Sequence, residues 1–84
     1  MKDTIIQEKI TKLLNEILKN NITNDKEQDL TMVGLDSLNS VALILELEEE
    51  FNIEFDDEEL LFENFSTINK IHLQVKRKLV DRNV

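Results

Sequence analysis

One glycine, Gly34, and not a single proline interrupt this chain. These are the two residue types that most strongly break a helix, so almost nothing in the sequence forces the backbone out of one. Leu, Ile, Glu, Lys and Asn dominate, which favours helices over the turn-rich strands of a β-sandwich. The 84 residues are read as a single domain, 1–84. A domain this small buries roughly 60% of the surface its unfolded chain exposes, so its core is small. With no cysteine there are no disulfides, no thiolate chemistry and no zinc cage. No apolar run approaches the ~18 residues of a membrane span. The opening "MKDTIIQEKI" lacks the apolar stretch of a secretory signal. A cytoplasmic monomer with no membrane or metal partner is expected.

The net charge of −8 argues against nucleic acid, whose phosphates repel such a surface. Residues 46–63 carry ten carboxylates and no Lys or Arg, whereas Lys70, Lys76, Arg77, Lys78 and Arg82 make the C-terminal stretch basic. This polarity either steers the protein towards basic partners or is only a solvated face. An EF-hand in "FDDEE" is a poor reading, because that loop needs spaced oxygen ligands and a central glycine.

Four helical segments are predicted, making an all-α bundle of three longer helices and one short one. The first runs from about Asp3 to Asn20. Its stripe is Ile6, Ile10, Leu13, Leu14 and Ile17, and Thr4 and Gln7 have capping-box spacing. A long loop over 21–35 follows, pinned by Ile22, Leu30, Met32 and Val33. The second helix spans about Ser37–Phe51. A short third one is expected near Asp57–Phe62, its first turn helped by Asp56 and Glu59. The fourth starts near Thr67 as N-cap and buries Ile68, Ile71, Val75 and Leu79.

At about 100° per residue, the second helix carries two apolar faces. Leu43, Ile44, Leu47 and Phe51 form the core stripe. Leu38, Val41 and Leu45 lie on the opposite side, flanked by Glu48 and Glu49. Either the long loop covers this second face or it is exposed for docking.

"GLDSL", residues 34–38, opens the helix. Ser37 is not a plausible nucleophile, because the only histidine, His72, lies in the fourth helix with no reason to approach it. A hydrolase elbow would also need a second glycine. Ser37 or Asp36 would serve as a helix cap. Ser37 would equally serve as a modification site, since free N–H groups at a helix N-terminus tolerate a phosphate. Gly34 would allow the sharp bend before the helix.

Residues 34–71, "GLDSLNSVALILELEEEFNIEFDDEELLFENFSTINKI", resemble the acyl carrier and peptidyl carrier protein family. D-S-L opens a helix that closes in E-E-E-F, and "FSTINKI" matches the start of the family's last helix. The resemblance implies an acyl-carrier-like four-helix bundle that catalyses nothing itself. It implies that a phosphopantetheinyl transferase, supplying base and magnesium, joins Ser37 Oγ to the 4′-phosphopantetheine of coenzyme A. The thiol of that arm would hold acyl or aminoacyl groups as thioesters for fatty acid, polyketide or nonribosomal peptide enzymes. Loading and processing enzymes with basic docking surfaces would grip Asp36, Leu38, Val41, Leu45, Glu48, Glu49 and Phe55. Asn39 and Ala42 stand where carriers of fatty acid synthesis usually place acids, which favours a dedicated carrier over a housekeeping one. The alternative is an unmodified acidic helical adaptor that binds a basic partner, with Ser37 only a cap.

Overall fold

The computed structural model describes residues 2–19 and 25–82. Helix α1 spans Asp3–Leu18, α2 spans Ser37–Phe51 and α3 spans Ile68–Arg82. Three 3-10 turns, Leu30–Val33, Asp57–Glu59 and Phe62–Phe65, complete the regular structure, and the described residues contain no strand. The fold is therefore a small all-α bundle. None of the helices among the described residues is long and apolar enough to cross a membrane.

The predicted stripes build the core. Ile6, Ile10, Leu13 and Leu14 of α1 meet Leu43, Leu47 and Phe51 of α2 and Ile68, Ile71 and Val75 of α3. Ile17, Ile44 and Leu79 pack at its margin. Helix α1 contacts both other long helices, so its apolar stripe is the shared wall of the bundle. It begins without a side-chain cap. Thr4 is already inside its first turn, and Gln7 reaches across to His72 instead of back to the helix start. The helix closes at Lys19, left-handed at φ 56°, whose N–H bonds Asn15 O. The predicted stop at Asn20 and Asn21 lies outside the described residues.

The long loop contributes to the core through other residues than expected. Leu30 is fully buried and its N–H donates to Ser66 O at 2.8 Å. Leu35 is buried too, and Val33 packs at the margin. Met32, expected to pin the loop, is instead 79% exposed, because the 3-10 turn aims Leu30 and Val33 at the core and Met32 away from it. Ile22 lies outside the described residues. Asn69 N–H donates to Lys26 O at 3.0 Å, tying the loop to the start of α3. Thr67 caps that helix as expected, accepting from Lys70 N–H at 3.1 Å.

The short third helix takes the form of the two 3-10 turns at Asp57–Glu59 and Phe62–Phe65. Asp56 N–H donates to Glu59 Oε1 at 2.7 Å, which closes the first turn tightly. Lys78 of α3 then bridges Asp56 and Glu59 at 3.1 and 2.6 Å. The acids of "FDDEE" are thus partly spent on fastening this segment to α3.

Candidate functional site

The join before α2 is made by one glycine and one carboxylate. Gly34 adopts φ +109°, a conformation that residues with a side chain rarely take, and closes the preceding 3-10 turn. The chain then extends through Asp36, the N-cap of α2. The Asp36 carboxylate accepts from the N–H groups of Leu38 and Asn39 at 2.9 and 2.8 Å. Asn39 Oδ1 accepts from Asp36 N–H at 2.7 Å, completing a reciprocal capping box. The capping role left open between Asp36 and Ser37 therefore belongs to Asp36.

Ser37 is left as the first residue of the helix, exposed, its Oγ without a hydrogen bond among the described residues. The expectation of several free N–H groups beside it needs correcting. Leu38 and Asn39 give theirs to the Asp36 side chain, and Ser40 gives its own to Asp36 O at 2.9 Å. Of this turn, only the N–H of Ser37 itself has no partner among the described residues. A phosphate on Oγ would gain the helix dipole and would extend outward, since the neighbouring donors are taken.

Beside Ser37 runs an apolar groove of about 400 Å³, between Val41, Ile44 and Leu45 of α2 and Leu60 and Phe62 of the turns. Ser40, buried beneath it, donates its hydroxyl to Ser37 O at 3.0 Å. His72 is engaged elsewhere: its Nδ1 meets Gln7 Nε2 at 3.1 Å, and its Nε2 lies 3.4 Å from Asp3 Oδ1. It is a half-buried structural residue joining α3 to α1.

The second face of α2 is exposed. Leu38 is 83%, Val41 56% and Leu45 60% accessible, since the loop sends Leu30 and Leu35 into the core and leaves this face bare. Charge along it is uneven. Around Ser37 stand Asp36 and the neutral Asn39 and Ala42; Glu49, exposed, lies about 18 Å further along at 1.5 Å per residue. Glu48 is half-buried and bonds Phe55 N–H at 2.9 Å. Glu50 turns to α1 and pairs with Lys9 at 2.6 Å.

Phe55, expected among the partner contacts, is only 5% exposed. Its ring stands edge-to-face on Phe65 at 5.4 Å and 84°. It is a core residue, its ring buried against Phe65 and its backbone N–H donated to Glu48. Sequence reasoning missed the second half of the capping box, Asn39. The signal was present as Asp followed three residues later by an amide.

The bundle thus places an exposed serine hydroxyl at the start of a helix that carries an apolar face and acids at its far end. The chain belongs to the phosphopantetheine-binding carrier proteins, for the family model described as "Phosphopantetheine attachment site" matches residues 8–71. It is similar to an acyl carrier protein homolog of Mycoplasmopsis pulmonis, 38% identical over 73 residues, covering 87% of this chain and 94% of that protein. A D-alanyl carrier protein of Streptococcus uberis is 38% identical over 72 residues, covering 84% and 91%. Among solved structures, it resembles a chain in the crystal structure of engineered Bradyrhizobium japonicum glycine:[carrier protein] ligase complexed with carrier protein from Agrobacterium tumefaciens and AMP. The TM-score is 0.76 at 36% identity, over 83% of this chain and 97% of that one. Carriers of this family bear 4′-phosphopantetheine and act as acyl or aminoacyl carriers.

Proposed function

We propose that Ser37 is the attachment residue and that its Oγ accepts the phosphopantetheine arm from coenzyme A through a phosphopantetheinyl transferase. The observation that carries this reading is the division of labour at the helix start. Asp36 caps, so the exposed Ser37 hydroxyl has no structural duty. The arm supplies a thiol, which this cysteine-free chain lacks, to hold cargo as a thioester. His72 is engaged with Gln7 and Asp3, away from Ser37; the transferase provides the base. The groove beside Ser37 gives an arm folded back on the protein an apolar resting place.

The cargo is a small acyl or aminoacyl group installed by a dedicated ligase, in preference to a growing fatty acid. The D-alanyl carriers and the glycine ligase complex among the similar proteins support this reading, as do the neutral Asn39 and Ala42 near Ser37. The partner enzyme reads Asp36, Leu38, Val41 and Leu45 as an apolar strip and meets Glu49 with a basic residue. Glu48 contributes charge while fastening Phe55. The protein acts as a single-domain monomer, tethering its cargo at high local concentration through contacts that charge steering makes fast.

Two measurements test this. After incubation with coenzyme A, magnesium and a promiscuous transferase, proteolytic mapping should place the arm on the peptide containing Ser37; an arm on another residue would overturn the assignment. Mass spectrometry of carrier isolated from its native cell should show a small acyl or aminoacyl thioester. Long fatty acyl chains would contradict the cargo reading alone.

A further inference from the structure

We infer that Asn39 is a positioning residue for the modification of Ser37, an inference that rests on the attachment proposed above. Its side-chain amide spans the bend that leads into α2. Asn39 Oδ1 accepts from Asp36 N–H at 2.7 Å, and Asn39 Nδ2 donates to Gly34 O at 2.8 Å. One planar group thus holds both the residue in the left-handed bend and the residue just before Ser37.

The hold continues on the other side of the serine. The Asp36 carboxylate takes the N–H groups of Leu38 and Asn39, and Ser40 Oγ donates to Ser37 O at 3.0 Å. The backbone on both sides of Ser37 is therefore fixed by hydrogen bonds, and none of them uses Ser37 Oγ. The direction of the Ser37 Cα–Cβ bond is set while the hydroxyl stays open to a second enzyme. A preset direction lowers the cost of bringing a nucleophile into line with the group it attacks.

In this chain the pair of contacts made at position 39, one accepted and one donated, needs an amide. A carboxylate there would accept from Asp36 N–H equally well. It would have nothing to donate to Gly34 O, and two oxygens would face each other across the bend. An aliphatic side chain would release both ends. The neutral residue at this position is therefore the one type that offers acceptor and donor together at this reach. Its contribution is to geometry, in contrast to a charge read by the partner.

The test compares wild type with Asn39→Ala, which loses both contacts, and Asn39→Asp, which loses only the donor. Loading by a promiscuous transferase with magnesium and coenzyme A is measured at saturating and limiting carrier. Helix content is followed by circular dichroism, and Asp36 amide exchange by nuclear magnetic resonance. The expected result is a fall in kcat of about five- to twentyfold for Asn39→Ala, the scale of one or two lost hydrogen bonds. KM should stay within about twofold, as befits an interaction felt in the transition state. Asp36 N–H should exchange faster. Asn39→Asp should also lose kcat despite its added negative charge. If Asn39→Ala fails to fold, Asn39→Asp, which keeps the acceptor, decides the matter. Folded variants that load with wild-type kcat would overturn the inference, and so would an Asn39→Asp protein that loads faster through a lower KM. Failure confined to the variants' kinetics leaves the attachment at Ser37 standing. Failure of wild type to load overturns both readings.

Discussion

A Cβ built on Gly34 would meet nothing within 4 Å, so space is not what requires glycine there. The requirement is φ +109° alone. Gly34→Ala should therefore destabilise the fold by about 1–2 kcal/mol through backbone strain, read as a lower urea midpoint with an unchanged slope. Asp36→Ala should cost about 1 kcal/mol as a lost cap, and it releases the N–H groups of Leu38 and Asn39. The glycine's role was legible, because an isolated glycine ahead of an apolar run marks a bend. The choice between Asp36 and Ser37 as the cap was not legible from cap preference alone. Adjacent Asp and Ser have nearly equal cap preference, and the tie is broken by Asn39, whose side chain fits only the frame in which Asp36 is the N-cap.

Within elements, the period of 3.6 residues carried the long helices and both faces of α2. Leu43 and Leu47 are buried, while Leu38, Val41 and Leu45 stand in solvent. Which face the loop would cover was open, since a loop has no period from which to tell Leu30 from Met32. The same lack of period hid the fate of Phe55, whose ring packs on Phe65 while its N–H bonds Glu48 seven residues back. Phe55→Ala should cost about 3–5 kcal/mol, the usual range for a buried phenylalanine. That is a large share of the roughly 4–12 kcal/mol expected for a chain of this length, and thermal unfolding of the variant would show it. The bond to Phe55 also makes Glu48→Lys a poor probe of docking, as it loosens this segment. Glu49→Lys is the cleaner one. It should slow loading by a basic partner, and more so at low salt, with the melting temperature unchanged; equal loading rates at all salt concentrations would count against charge steering at this end.

Across the whole molecule, the ion pairs of Asp3 and Lys9 join α1 to the other long helices, and those of Lys78 join α3 to the turn segment. Asp3 is held below the ordinary carboxylate range, first by its hydrogen bond from Lys76, and Glu50 likewise by Lys9. A carboxylate whose pKa is lowered by folding adds stability that is complete above its unfolded pKa and lost as pH falls through the folded value. The stability difference between wild type and Asp3→Asn should therefore be steady at neutral pH, begin to fade near the unfolded value of about 4, and vanish only below the lowered folded value. Urea melts of both proteins across that range would check it, and a difference that persists in acid would contradict it. Lys78 has the opposite sign. Its pKa is raised, chiefly by the hydrogen bond to Glu59, so its clasp on the turn segment holds at neutral pH and is lost only as pH rises through that raised value.

The proposed carrier role turns on Ser37 Oγ. Intact mass after exposure to coenzyme A, magnesium and a promiscuous transferase reads it directly. Wild type should gain one phosphopantetheine and Ser37→Ala none. A wild-type protein that stays unmodified, or a Ser37→Ala protein that still gains the arm, would contradict it.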